Sequence, residues 1–334
     1  MLERLTVLPP RDVPLGGPRS MTVRRTLPAS ETSLVGAWCF IDHFGPDDVG
    51  TTGGMRVARH PHTGLATVSW LFDGAIIHRD SIGSHVLVRP GSLDMMIAGR
   101  GITHSEFSSP DTTVLHGVQL WFALPDAVRD GERDFVLSTP DALRGDGVAL
   151  RVGLGSVQAV DAAGAELADA SEVPTPLPLT LVEIALEPGA SVRIALDGAH
   201  EHALQMDRGT VSIACGTETA EASDAQLVLL PDGAKEITVT ADGRGARLLL
   251  LGGEPLGEDI LMWWNFVGRA HEEIAAFREE YMAEIAADAS GSDESPGRFG
   301  PWPARTPAAF PAPEMPALRL RPRGRAGLVN GDSR

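Results

Sequence analysis

From Gly36 to about Leu124 the apolar residues of this chain fall in short runs cut by Gly, Pro, Asp and Ser. Side chains two apart in an extended strand share a face. The pattern therefore predicts strands at Thr67 to Phe72 and Ser84 to Arg89, with turns at Asp73-Gly74, Asp80-Ser81-Ile82-Gly83 and Pro90-Gly91. In the run that Pro125 ends, Val118, Leu120 and Phe122 alternate with Gln119, Trp121 and Ala123, which gives one strand with two distinct faces. Residues 126–176, rich in Asp, Ala, Gly and Pro with a strand candidate at Val148 to Gly153, are expected to connect two units. A second set of strands follows to Leu251. The period then changes: Ile274, Phe277, Tyr281, Met282 and Ile285 recur at helical spacing. The expected layout is thus 1–125, a connection at 126–176, a second β unit at 177–252, a helix at 253–289 and a Pro/Arg-rich tail at 290–334. Met21 to Leu27 is expected as an edge strand with Arg24 and Arg25 in solvent, and LRLRPRGR at 318–325 as an extended segment on an acidic body.

Within the first unit, His60-Pro61-His62 and His104-Ser105-Glu106 are the candidate chemistry. Each pair presents two donors on one strand face, and an antiparallel sheet closing on itself would bring the pairs together. Three imidazoles and one carboxylate suit a first-row divalent ion of higher coordination, with positions left open. Ser105 would point to the opposite face. His78, in IIHRDSIG, is expected at the pocket or behind a ligand. Trp70, Phe72, Met95 and Met96 are expected in the core. The second unit carries His200 and His202 with no histidine in its downstream half, so no second metal is expected there and the pair is read as partly exposed.

The stretches HPHTGLATVSWLFDGAIIHRDSIGS and RPGSLDMMIAGRGITHSE, with RDVPLGG, MTVRRTLP, GAWCFIDHFGP and GGEPLGEDILMWWNFVGRAHEEI, resemble the pirin family over roughly residues 11–285. The resemblance implies an all-β protein of two cupin (jelly-roll) barrels, with a C-terminal amphipathic helix and the tail beyond it. It implies metal ligation by His60, His62, His104 and Glu106, with Fe(II) or another divalent first-row ion as cofactor. It also implies either a flavonol (quercetin) 2,3-dioxygenase, with a small phenolic substrate and Glu106 as catalytic base, or a metal-dependent regulatory module acting on a partner protein. Thr63-Gly64 stands where many relatives have Arg-Gly, and Ala66 where the general cupin motif has Glu. Glu106 is left as the evident carboxylate.

Composition narrows the remaining classes. The 334 residues suffice for two domains with cores, and a net charge of −17 disfavours direct binding to nucleic acid or anionic membranes. Cys39 and Cys215 lie far apart without a disulfide framework and are expected buried and reduced. The N-terminal stretch lacks the continuous apolar run of a signal peptide, so cytoplasmic residence is expected.

Overall fold

The structure is a computed structural model that describes residues 2–15, 21–290, 297–301 and 308–325. Gly and Pro breaks keep the strands short, and short antiparallel strands with one apolar face stack as paired sheets. The N-terminal barrel sets a four-stranded sheet against a seven-stranded one. The smaller has the order Arg56–His62, Ile102–Ser108, Ile76–Asp80 and His85–Val88. The larger runs Asp134–Ser138, Leu93–Ile97, Leu65–Asp73, Val114–Ala123, Trp38–Asp48, Thr22–Leu27 and Arg11–Pro14. The C-terminal barrel repeats the plan with a seven-stranded sheet built around Glu201–Arg208, Ala246–Gly253 and Leu179–Leu186, faced by a six-stranded one. The protein is mostly β, with two cupin-type domains and a C-terminal helix, His271–Ser290.

The two seven-stranded sheets pack back to back. Their shared core includes Trp38, Trp70, Phe72, Met95, Val118, Leu120 and Phe122 from the first barrel, with Leu181, Leu227, Leu249 and Leu251 from the second. Full burial of a side chain of this size stabilises by about 1.5–3 kcal/mol. The indole N–H groups that enter this layer are satisfied across it: Trp38 donates to the Gly252 carbonyl at 2.9 Å and Trp70 to Glu183 at 2.8 Å. Val118, Leu120 and Phe122 thus cement the barrels, whereas Gln119 and Trp121 on the other face of the same strand line the interior of the first. Met96 lies in a separate small cluster with Ala98 and Ile102. Cys39 and Cys215 are buried free thiols.

Several expectations change. Residues 126–176 are not a bare connection: Asp134–Ser138 completes the first barrel's large sheet, while Leu143–Gly145, Val148–Leu154, Ser156–Asp161 and Glu166–Ala170 belong to the second barrel. Their polar, Gly-interrupted composition reflects half-exposed strands, which alternation over so few residues does not reveal. Thr22–Leu27 is an interior strand, and the edge is Arg11–Pro14. Arg25 is not solvated but makes a two-pronged pair with Asp42 at 2.7 and 2.8 Å, and Arg24 donates to His43 Nδ1 at 2.7 Å.

The helix begins at His271, not at 253; the residues before it form a hairpin, Leu261–Trp263 paired with Phe266–Gly268. Trp264 at its tip adopts a left-handed φ of 54°, a turn set by tertiary packing that residue type does not announce. The helix buries Ile274, Phe277 and Tyr281 against Phe266 and Phe299. Glu272 and Glu273 in its first turn complement the helix dipole. Of the expected tail, 291–296, 302–307 and 326–334 fall outside the described residues.

Candidate metal centre

His60 and His104 are direct partners across the antiparallel pair Arg56–His62 and Ile102–Ser108, and His62 lies opposite Ile102. Alternation therefore puts three imidazoles on one face. The pairing then slips between His104 and Glu106, where the first strand carries an extra residue; the bulge re-aims the chain so that Glu106 pairs with Val57. Gly64 follows the His62 strand at φ +65°, and a Cβ there would lie 2.4 Å from the Val267 carbonyl, so the strand can turn against the hairpin only with glycine.

His60, His62 and His104 are buried, and their donor nitrogens lie within 4.8 Å of one another. Nδ1–H of His60 donates to the Ala58 carbonyl at 2.9 Å, and Nδ1–H of His62 to the Asn265 carbonyl at 3.2 Å. Both bonds fix the tautomer that leaves Nε2 as a free lone pair. Nε2 of His62 faces Nε2 of His104 at 3.1 Å, and His104 Nδ1 is buried with no hydrogen-bond partner. Desolvation lowers all three pKa values, that of His60 to about 4, so the imidazoles are neutral near pH 7. Neutral, converging, partly orphaned nitrogens fit a divalent cation.

Glu106 completes a second group with His78 and His104. Its Oε1 lies 3.0 Å from Ser69 Oγ, which also lies 2.9 Å from Gln119 Oε1. Burial raises the Glu106 pKa to about 7. His78 sits between two buried carboxylates, with Nε2 3.4 Å from Asp80 and Nδ1 3.6 Å from Asp94. Burial works to lower the His78 pKa, but Asp94, Asp80 and Glu106 together raise it. Asp94 is itself pushed up to about 6 by burial. The structure thus brings His60, His62, His104 and Glu106 to one end of the barrel and places His78 behind them. Ser69, Gln119, Asp94 and Asn265 were not singled out from sequence. Polar residues at strand positions with apolar neighbours, as in Leu93-Asp94-Met95, carried the available signal; nothing in the sequence pointed to Asn265, which acts through its carbonyl.

A cavity of about 630 Å³ opens over the histidines. Its wall includes Phe40 stacked on Trp121 at 4.0 Å between ring centroids, and Trp121 meets His62 edge-on at 5.1 Å. Met262, Trp264 and Asn265 from the hairpin and Phe310, Pro311 and Pro313 from the C-terminal segment complete it.

His43, His116 and Asp207 form a third close group, at the boundary between the barrels. Arg24 donates to His43 Nδ1, which puts the proton of that ring on Nε2, 2.7 Å from Asp207 Oδ1. Arg247 donates to the other carboxylate oxygen at 2.7 Å, and His116 Nε2 lies 2.6 Å from Oδ1. With two arginines against it and the His43 lone pair used, the cluster ties the barrels by charge and does not fit a cation. His200 and His202 join no such group among the described residues. His202 is buried, contrary to the exposure expected, and burial lowers its pKa to about 4.

Two barrels in tandem, the first with three imidazoles converging at one end, define a bicupin with a candidate metal site. Family models described as Pirin and as Pirin C-terminal cupin domain match residues 20–122 and 181–284. The chain belongs to the pirin family. It is 35% identical over 320 residues to "Putative quercetin 2,3-dioxygenase PA1205" of Pseudomonas aeruginosa, covering 95% of this chain and 91% of that one. It is 32% identical over 266 residues to a pirin-like protein of Caulobacter vibrioides, covering 78% of this chain and 88% of the relative. A crystal structure of quercetin 2,3-dioxygenase from Acinetobacter baumannii superposes with a TM-score of 0.79 at 31% identity, covering 95% of this chain and 98% of its own. No helix among the described residues is long and apolar enough to cross a membrane.

Proposed function

We propose that this pirin is an iron-dependent dioxygenase of flavonol-type phenolics, with His60, His62, His104 and Glu106 holding Fe(II). The observation that carries it is the meeting of three neutral imidazoles, two of them tautomer-fixed, with an aromatic-walled cavity wide enough for a fused-ring substrate. The relatives named for quercetin cleavage support the substrate class. When bound, the ion supplies Lewis acidity and one-electron chemistry toward oxygen.

The chain supplies the rest. Phe40 and Trp121 offer a flat apolar surface beside His62 on which an aromatic ring can lie, and their burial keeps bulk water from that side. Glu106 offers a carboxylate oxygen within the cavity to accept the proton of a phenolic hydroxyl. Ser69 Oγ–H donates to that carboxylate and helps hold it in place. Asp94 and Asp80 keep His78 oriented behind it, so the accepted proton has polar neighbours.

The test is oxygen uptake by Fe(II)-reconstituted protein with and without quercetin, alongside a His60→Ala/His104→Ala control. Substrate-dependent uptake that the control lacks is the expected result. Stoichiometric iron without uptake on any flavonol would turn the reading toward a metal-dependent module that acts on a partner protein.

A further inference from the structure

Both family models end by residue 284, yet the segment around Phe310, Pro311 and Pro313 passes across the mouth of the first barrel. We propose that this C-terminal strap is the specificity wall of the metal pocket: Phe310, Pro311 and Pro313 hold it to a slot for flat aromatic ligands and slow the escape of the bound ion. The inference deepens the dioxygenase reading and rests on it for the ligand class.

The strap is fastened to the ligand strand itself. Its Phe310 N–H donates to the Arg59 carbonyl at 2.7 Å, one residue before His60, and the Phe310 carbonyl accepts from the Tyr281 hydroxyl of the helix at 2.6 Å. Ala312 is buried in the helix cluster beside these bonds, and further along Leu320 N–H donates to His271 Nδ1 at 3.1 Å. Phe310 is therefore pinned from both sides while its half-buried ring, with the two proline rings, faces the cavity.

Proline has a fixed φ and no N–H, so Pro311 and Pro313 neither extend the sheet nor offer a donor to a ligand. They form a stiff apolar surface. Facing the same cavity are Phe40, Trp121 and Trp264, also rigid and planar. Flexible side chains adapt to ligands of many shapes, whereas planar rings and prolines reward a flat one. A ligand that reaches His60 must share this space with the strap.

The test uses the full-length Fe(II)-loaded protein under anaerobic conditions, where turnover cannot interfere. Fe(II) removal by 2,2′-bipyridine is followed as the coloured complex, and quercetin binding by quenching of tryptophan fluorescence. For Phe310→Ala, about tenfold faster stripping and about tenfold weaker quercetin binding are expected, with full iron content retained. Tyr281→Phe, which keeps the ring and removes only the hydroxyl anchor, shifts both in the same direction by less. Wild-type stripping rates and affinities in both variants would overturn the proposal, as would failure of the wild-type protein to bind quercetin at all. Tight anaerobic binding without aerobic oxygen uptake would sink the catalytic reading alone and leave the strap standing.

Discussion

One row of residues across each large sheet separates the two barrels. In the first barrel the row Arg25, Asp42, Gln119, Ser69 and Asp94 runs in register across five strands and is charged or polar throughout. In the second barrel, the row Val228, Leu204, Leu250, Val182 and Val152 is aliphatic throughout and packs into a closed core. Both sheets have seven antiparallel strands. Architecture is therefore shared and chemistry is not. Burying a polar group without a partner costs free energy, so a barrel retains an inward polar row only where its members satisfy one another or a ligand. Arg25 with Asp42 and Ser69 with Glu106 do the first. The buried His104 Nδ1, which no protein group satisfies, points to the second.

The largest expected effect comes from removing the proposed ligands that set the barrels apart. His60→Ala/His104→Ala should lower divalent-metal affinity by about a thousandfold or more, read by calorimetry or metal content after dialysis. Retained affinity would mean that the metal sits elsewhere. Breaking the joint between the barrels ranks next. Asp207→Ala leaves Arg247 without its carboxylate beside His43 and His116, and should cost about 3–5 kcal/mol in denaturant unfolding while metal content per folded molecule is unchanged. A loss below about 1 kcal/mol would show that the apolar layer alone joins them.

His78→Gln tests the groups behind the ligands. It touches Asp80 and Asp94, and its loss should weaken metal binding about 10–100-fold with the ligands intact. An unchanged affinity would make His78 a core residue.

Acidity sharpens the contrast further. In metal-free protein burial raises the Glu106 pKa from 4.5 to about 7, so the folded state holds that proton more tightly than the unfolded state does. Its contribution to stability is present below pH 4.5 and is lost as pH rises through 7. His60 acts in the opposite sense: lowered from 6.5 to about 4, it removes stability as pH falls through that window. Glu106→Gln should abolish the loss on the alkaline side, raising metal-free stability above pH 7 by on the order of 1–3 kcal/mol relative to wild type. Thermal unfolding from pH 5 to 8 reads this directly, and parallel curves for the two proteins would refute it. The smallest effect is expected in the second barrel. His202→Leu replaces a buried neutral imidazole and should shift stability by about 1 kcal/mol or less with no change in metal content.

The two candidate donor pairs were legible because strand alternation is local: His60 with His62 and His104 with Glu106 need only an extended backbone to share a face. Strand Val114–Ala123 was legible for the same reason, and its two faces do go to two places. The helix was legible as a period and not as a start, because Leu261–Trp263 and Phe266–Gly268 are as apolar as the turns that follow them and only their pairing made them a hairpin. Arg24 and Arg25 depart from the exposure expected of arginine because the partners that pair with them, His43 and Asp42, stand on a neighbouring strand.

What the sequence determined by itself was the all-β character, the presence of two strand-rich units and the identity of the metal-type donors, all properties carried by residues a few positions apart. The tertiary structure decided which rows face a ligand and which face a core. It turned 126–176 from a connection into strands, brought Asn265 from the hairpin to His62, and laid the tail along the pocket. Each of these depends on pairings between segments far apart in the chain, and those are settled by packing and burial rather than by local pattern.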